Sequence, residues 1–210
     1  FGELVQIDGS HHDWFEGRRG KCCLILMIDD ATSQIVSARF EESETTLGYM
    51  RCTMEHLKRH GRPAAYYSDK HSIFKVNNKK SIDYRLEDTQ FKRAVNDLGI
   101  ELIYASSSQA KGRVERANQT LQDRLIKEMR LQGLVSIEEA NKYLPRFIKQ
   151  YNKKFGILPR DLNNGHRPVL QTIGELSYRL SCQEERIVSK NLEISYEGVI
   201  YQIQDVGKGH

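Results

Sequence analysis

The most constraining feature of this sequence is an uninterrupted apolar run at residues 22–28, Cys-Cys-Leu-Ile-Leu-Met-Ile, which is the longest in the chain. Asp29-Asp30 closes it, and residues 34–40 then alternate apolar with polar side chains. Seven residues cannot cross a bilayer, which takes about 20, but they suit a strand that is buried on both faces. The two segments predict a β-hairpin and exclude a membrane protein.

Short strand patterns and helical patterns alternate around this hairpin. Further strands are predicted at residues 4–7, 64–68 and 100–104, and helices at residues 45–60, 89–98, 112–131 and 137–151. This order predicts an α/β domain, a mixed five-stranded sheet with helices on both faces. Residues 75–88 are polar and aperiodic, so we expect an inserted loop there.

The C-terminal part follows a different pattern. Pro159, Pro168 and an Asn-Asn-Gly triplet at residues 163–165 predict an extended linker. Residues 192–196 and 199–203 flank Glu197-Gly198 and predict a hairpin. We predict one large domain at 1–155 and a linker at 156–175. Because two strands do not form a stable module alone, we predict that residues 176–210 are the start of a small β domain.

Charge is distributed unevenly along the chain. The net charge is only +4, but residues 111–167 contain 13 Lys and Arg against 6 Asp and Glu. A basic segment beside a slightly acidic remainder suits an enzyme of nucleic acids, with carboxylates around a metal and cations along the phosphates. A solvated helix face is the alternative interpretation.

The four cysteines and the first residue bear on cellular context. The cysteines form no Cys-x-x-Cys pair and no plausible disulfide framework, which favours a reducing, cytoplasmic setting. The chain begins with Phe1 and shows no signal-peptide pattern. We therefore expect it to be a piece of a longer protein.

Three acidic residues are candidates for a metal site. Asp8 and Asp69 each follow a predicted strand, and Glu115 lies in the first turn of the long helix. If the two strands are neighbours, both aspartates leave the same sheet edge, where carboxylates suit Mg²⁺ or Mn²⁺. Taken singly, Asp8 and Asp69 are explained equally well as turn residues, and Glu115 as an acid at a helix N-terminus.

The motifs around these acids resemble a known family. The segment 109–121, Gln-Ala-Lys-Gly-Arg-Val-Glu-Arg-Ala-Asn-Gln-Thr-Leu, resembles the Gly-x-x-Glu-Arg-x-Asn-x-Thr-Leu motif of retroviral-integrase-like Asp-Asp-Glu transposases. Gln6-Ile7-Asp8 and Tyr67-Ser68-Asp69 supply the other two acids in the right order. Residues 8–15 and 68–72 look most like the ISNCY group of bacterial insertion-sequence transposases.

The resemblance implies a ribonuclease H-like fold and two-metal phosphoryl transfer during DNA transposition. It implies two Mg²⁺ or Mn²⁺ ions held by Asp8, Asp69 and Glu115, with Asp8 bridging both. It also implies double-stranded DNA as partner (transposon ends and target), a homodimer or higher oligomer on DNA, and a bacterial, nucleoid-associated protein. The candidate DNA contacts are Lys111, Arg113, Arg116 and Asn118, with ordinary solvated charges as the alternative for the three cations.

Two departures from the family pattern concern the surroundings of the site. Forty-five residues separate Asp69 from Glu115, and Lys70-His71 replaces the frequent Asn-Gly after the second aspartate. A nuclease that only hydrolyses and an inactive, domesticated DNA-binding relative are the rival interpretations.

Other chemistry-bearing residues receive simpler interpretations. Asp29 competes for a metal role but is more simply the start of a turn. His11, His12 and His71 are expected at the surface or behind the ligands, because imidazole is a poor ligand for Mg²⁺. Cys22 and Cys23 are expected in the core.

Overall fold

A computed structural model describes residues 1–69, 73–74, 89–105 and 112–204. Its elements in chain order are β1 (Leu4–His12), β2 (Cys22–Asp29), β3 (Ile35–Glu41), α1 (Thr46–His60), β4 (Ala65–Ser68), α2 (Gln90–Asp97), β5 (Glu101–Tyr104), α3 (Gly112–Leu131), α4 (Ile137–Phe155), α5 (Ile173–Arg179), β6 (Glu193–Tyr196) and β7 (Val199–Gln202). None of the helices in these ranges is long and apolar enough to cross a membrane.

The first five strands form one mixed sheet in the order β3-β2-β1-β4-β5. β1, β2 and β3 pair antiparallel, whereas β4 pairs parallel with both β1 and β5. The parallel pairing requires crossovers, and α1 and α2 supply them. The predicted mixed five-stranded sheet is confirmed.

The apolar run explains why the sheet is covered on both sides. Alternate residues of β2 enter two different cores: Cys23, Ile25 and Met27 pack in the cluster beneath α1 and α2. Cys22, Leu24 and the rest of the alternate set pack in the cluster that α3 and α4 cover. Each face of β2 is therefore buried against helices, and the two adjacent cysteines are core residues as predicted.

β1 is longer than the sequence predicts. The pair Asp8-Gly9 was expected to end the strand in a turn, but β1 continues to His12 because β2 pairs with it through His12↔Cys22. Asp8 thus lies inside a strand. What ends near Asp8 is the shorter neighbour β4, whose last residue is Ser68.

The hairpin between β2 and β3 turns where predicted. The Asp29 carboxylate accepts hydrogen bonds from the backbone N–H groups of Gly2 and Thr32 and from the Thr32 hydroxyl, at 2.7–2.8 Å. Ser33 takes the left-handed conformation, with φ of 56°. Asp29 is therefore occupied in stabilising a turn, which is the simpler of its two interpretations.

The C-terminal part contains a helix that the sequence analysis missed. α5 begins after Thr172, whose side chain forms a capping box with Glu175, and its Leu176 is buried with Leu180 in the core beneath α1 and α2. The predicted hairpin follows as β6 and β7. The division at residues 155 and 175 stays a prediction, and the expected loop at residues 75–88 lies outside the described residues.

Candidate active site

Helix α3 lies along strand β1 and is joined to it by three side-chain hydrogen bonds. They run from Val114 N to Gln6 Oε1 (3.1 Å), from Asn118 Nδ2 to Asp8 Oδ2 (2.9 Å) and from Gln122 Nε2 to Ser10 Oγ (3.2 Å). Four residues of a helix advance about 6.0 Å and two residues of a strand about 6.6 Å. The repeat distances of the helix and the strand therefore match, and each of the three hydrogen bonds, which we call the α3–β1 rungs, fixes one polar side chain of β1 against α3.

Asp69 follows the parallel ladder that joins β4 to β1. The last pair of that ladder is Gln6↔Tyr67, and both aspartates follow two residues later on their own strands. Neighbouring strands are about 4.8 Å apart, so continuation of the ladder brings Asp69 beside Asp8. Asp69 is exposed and Asp8 is half-buried, which leaves this edge open to solvent.

Glu115 approaches the same edge from the helix. It lies in the first turn of α3, three residues before Asn118, and is therefore on the side of the helix that faces Asp8. Its side chain is exposed. The three predicted acids thus lie within β1, directly after β4 and in the first turn of α3, and their meeting at one metal site stays a prediction.

Asn118 is a buried polar residue of this edge, with 7% of its surface exposed. Its amide nitrogen holds Asp8, while its amide oxygen Oδ1 is buried and has no hydrogen-bond partner among the described residues. Such an oxygen calls for a donor or a cation. Carboxylate and amide oxygens are the ligands that Mg²⁺ and Mn²⁺ prefer, so the donor set at this edge fits such an ion.

The candidate DNA contacts have different surroundings. Arg113 Nε donates to Asp30 Oδ1 (3.1 Å) and its Nη1 to Ser33 Oγ (2.8 Å), so this guanidinium ties α3 to the β2–β3 turn. Arg116 is exposed. Lys111 lies outside the described residues, and Asn118 is engaged with Asp8. DNA contact by these four residues stays a prediction.

A group of side chains on the opposite face of β1, beside Gly9, was missed by the sequence analysis. Tyr49, wholly buried, donates from its hydroxyl to Glu44 Oε1 at 2.6 Å. A Cβ on Gly9 would lie 2.6 Å from Glu44 Cδ and 2.9 Å from the Tyr49 hydroxyl, so a larger residue would force these side chains to move. Gly9 thus serves close packing rather than a turn. No local signal marks Glu44 or Tyr49, because only the fold brings them to β1.

Burial and nearby negative charge raise the pKa values of two side chains beside Glu44. Burial, reinforced by the carboxylates of Glu44 and Asp8, raises the pKa of Tyr49 well above its usual range. Burial and Glu44 raise the pKa of Cys23 to about 12. Both groups are therefore neutral at physiological pH, and the negative charge near the sheet edge belongs to the carboxylates.

The chain is similar in sequence to two curated proteins. It is 48% identical over 197 residues to y4bF of Sinorhizobium fredii, described as a transposase, covering 94% of this chain and 43% of that protein. It is 36% identical over 215 residues to the transposase for insertion sequence IS1202 of Streptococcus pneumoniae, covering 99% of this chain and 44% of that protein. The chain thus spans less than half the length of these relatives. No family model matches it.

Solved structures with a similar fold are retroviral integrases. The catalytic core domain of BIV integrase aligns with a TM-score of 0.52 and 22% identity, covering 80% of this chain and 91% of that one. The HTLV-2 integrase catalytic core domain in complex with magnesium gives 0.51 and 16%, covering 79% and 95%. The simian T-cell lymphotropic virus intasome gives 0.53 and 17%, covering 90% and 60%. The ribonuclease H-like fold and the resemblance to integrase-like transposases are confirmed.

Proposed function

We propose that this chain is the catalytic part of a DNA transposase, which cleaves phosphodiester bonds at transposon ends and joins those ends to target DNA. One observation supports the proposal most directly: α3 docks on β1 through hydrogen bonds, Asn118 holds Asp8, and Glu115 lies three residues before Asn118 on the same helix. The transposases among its relatives support the same activity.

Asp8, Asp69 and Glu115 are the proposed ligands of two Mg²⁺ or Mn²⁺ ions. The oxygen donor set supports this choice, as does the Asn118 amide oxygen, for which the described part of the chain offers no hydrogen-bond donor. The magnesium complex of the HTLV-2 core supports the metal class. When bound, such ions activate the attacking oxygen and neutralise charge on the leaving oxygen.

The chain's own residues supply geometry. Asn118 orients the Asp8 carboxylate, and the α3–β1 rungs keep Glu115 at a fixed height along the strand. The proposed reaction is an in-line displacement at phosphorus. The oxygen of water, or of a DNA 3′-hydroxyl in strand transfer, gives up a proton to solvent and bonds to phosphorus, while the bond to the leaving 3′-oxygen breaks and that oxygen takes up a proton from solvent.

Double-stranded DNA is the proposed partner, as transposon end and as target. Exposed Arg116 is suited to a phosphate contact, and Lys111 precedes the same helix. We include in the proposal a homodimer or higher oligomer on DNA, for which the dimeric and trimeric forms of the HTLV-2 integrase core are a precedent. Both curated relatives come from bacteria, so the proposed setting is the bacterial cytoplasm at the nucleoid.

The test replaces one acid at a time. Asp8→Asn, Asp69→Asn and Glu115→Gln should each abolish cleavage and joining of a labelled duplex that carries the terminal sequence of the encoding element, with supercoiled plasmid as target. Asp123→Asn is the matched control, because Asp123 is an exposed acid of the same helix paired with Lys127. Melting temperatures should stay level or rise, since removing one of several crowded carboxylates relieves repulsion.

The products distinguish the rival functions. Joined products that depend on all three acids support the proposal. Hydrolysis without joining would identify a nuclease, and DNA binding without either reaction would identify an inactive relative. Near-normal strand transfer by Asp69→Asn in Mg²⁺ would contradict the assignment of the acids.

A further inference from the structure

A second group of ligand-type side chains lies on the other face of strand β1. His11 of β1 pairs with Cys23 of β2, and paired residues of an antiparallel ladder point to the same face. Glu44, just before α1, completes the group. One ligand atom from each residue lies within 4.8 Å of the other two. We call these three residues the His-Cys-Glu cluster.

The cluster is separate from the three acids although both use β1. Side chains alternate between faces along a strand. Asp8 and Ser10 face α3, as their hydrogen bonds to Asn118 and Gln122 demonstrate. Cys23 packs in the core beneath α1 and α2, and His11 shares its face. The cluster therefore shares no ligand with the proposed Mg²⁺ site.

The donor types of the cluster select a different kind of ion. Thiolate, imidazole and carboxylate together are the ligand set of zinc sites, whereas Mg²⁺ takes oxygen ligands. Three protein ligands also leave one tetrahedral position for water. We propose that His11, Cys23 and Glu44 form a binding site for a Zn²⁺-type divalent ion. This inference does not depend on the transposase activity.

The surroundings of the cluster support a built site. The buried Tyr49 hydroxyl donates to Glu44 Oε1, which orients the carboxylate as the partners of metal ligands do. Gly9, between Asp8 and the cluster, leaves the room that Glu44 occupies. Cys23 is wholly buried, Glu44 is half-buried and His11 is exposed, so the cluster has one side for ion entry.

Ion binding needs only a small contraction of the cluster. Donors at about 2.0–2.3 Å from a tetrahedral ion are about 3.5 Å from one another. We expect the exposed His11 side chain to rotate toward the Cys23 thiol and toward the Glu44 carboxylate that Tyr49 orients. The Cys23 thiol gives up its proton to solvent when the thiolate binds the ion.

The test titrates the metal-free chain with Co²⁺ and Zn²⁺. Besides any Co²⁺ held by Asp8, Asp69 and Glu115, we expect one Co²⁺ to give a thiolate-to-cobalt charge-transfer absorption, which disappears when Zn²⁺ displaces that ion. Zn²⁺ at a hundredfold excess over its Kd should raise the melting temperature by about 5 °C. His11→Ala and Glu44→Gln should each weaken binding at least tenfold. Cys23→Ser should remove the absorption.

Two matched variants keep the outcome decisive. Cys182→Ser removes an exposed cysteine outside the cluster and should leave the absorption unchanged. Asp8→Asn should also leave it unchanged, because Asp8 belongs to the other site. Since Cys23 is a core residue, His11→Ala at an exposed position decides the matter if Cys23→Ser fails to fold. Absence of the charge-transfer absorption in the wild type would overturn the proposal. Wild-type metal affinity in both His11→Ala and Glu44→Gln would overturn it as well.

Discussion

Asn118 orients the Asp8 carboxylate without neutralising it. The amide nitrogen donates one hydrogen bond at 2.9 Å, and a neutral donor fixes the direction of the oxygen while the negative charge remains for an ion. The other end of the same amide is the buried oxygen Oδ1, which has no hydrogen-bond partner in the ranges that the structure describes. Asn118 thus positions the proposed ligand Asp8 with its amide nitrogen and can accept a donor or a cation with its amide oxygen.

Replacing Asn118 tests this positioning directly. Asn118→Ala should lower Mn²⁺ affinity and DNA cleavage about 10–100-fold, because the partners of metal ligands typically contribute that much. The lost hydrogen bond should reduce the free energy of unfolding by about 1 kcal/mol. Isothermal titration with Mn²⁺ measures the first effect and urea unfolding the second. Gln119→Ala, an exposed neighbour, is the control, and equal Mn²⁺ affinity in the two variants would contradict the role.

Gly9 provides a second test at the scale of single atoms. In Gly9→Ala the new Cβ would lie 2.6 Å from Glu44 Cδ, so Glu44 and the Tyr49 hydroxyl must move. We expect a loss of about 1–3 kcal/mol in the free energy of unfolding, typical of overpacking. Gly20→Ala has open space around its Cβ and should be neutral. Urea denaturation compares them, and equal stability would refute the close-packing explanation.

Among the elements, α3 is anchored at both the site and the hairpin turn. Asp30 Oδ1 accepts from Arg113 Nε and also from Gln6 Nε2, so one carboxylate joins the start of α3 to β1 and to the β2–β3 turn. Arg116, one turn later, is exposed. The two arginines therefore have different roles. Arg113 holds the helix against the turn, whereas Arg116 is accessible to a ligand.

The two arginines should respond differently to substitution. Arg113→Ala should reduce the free energy of unfolding by about 1 kcal/mol, because it leaves Asp30 and Ser33 without a shared donor. Arg116→Ala should leave unfolding unchanged but flatten the salt dependence of DNA binding by about one unit of slope. Thermal melts and binding titrations at several salt concentrations separate the effects. An unchanged slope in Arg116→Ala would return Arg116 to a solvated helix face.

The elements were predictable where the pattern was strong. The apolar run of β2 and the helical spacing of α3 allowed their positions to be predicted within a residue or two. β1 was predicted too short, because Asp-Gly is a common turn pair and the sequence does not reveal that Glu44 packs on Gly9. α5 was missed because seven residues carry too little periodicity. The resemblance of the motifs joined the three acids into one candidate site. The packing of Glu44 and Tyr49 against Gly9 could not be predicted, because only the fold brings these residues together.

At the scale of the whole molecule, the segment after α4 is held against the sheet domain. Arg62 and Arg167 exchange backbone hydrogen bonds at 2.8 Å, and Gly165 N donates to Phe1 O at 2.7 Å. His166 Nε2 lies 3.0 Å from His56 Nε2 of α1, and His56 Nδ1 lies 2.9 Å from the Tyr66 hydroxyl. A chain of polar contacts thus runs from this segment into the buried core.

This contact should make folding stability depend on pH. Burial, reinforced by His60 and opposed by Asp29, lowers the pKa of His166 to about 4. Burial, with His166 and His60, lowers the pKa of His56 well below its usual value. In the unfolded chain both titrate near 6.5, so between about pH 6.5 and 4 the unfolded state binds more protons than the folded state. Stability should therefore fall as the pH is lowered through this window.

Melting temperatures measured at pH 7, 6 and 5 test that dependence. The wild type should lose several degrees from pH 7 to pH 5, and His166→Gln should lose less, because one group that takes up a proton on unfolding has been removed. Carboxylates that titrate in the same range affect both proteins equally, so the difference between the two slopes isolates the histidine. His11→Gln, measured with chelator present, changes an exposed histidine instead and should follow the wild-type slope. If the melting temperatures of the wild type and His166→Gln depend on pH in the same way, the prediction is wrong. The His56–His166 contact would then not be a buried, neutral link between the segment after α4 and the sheet domain.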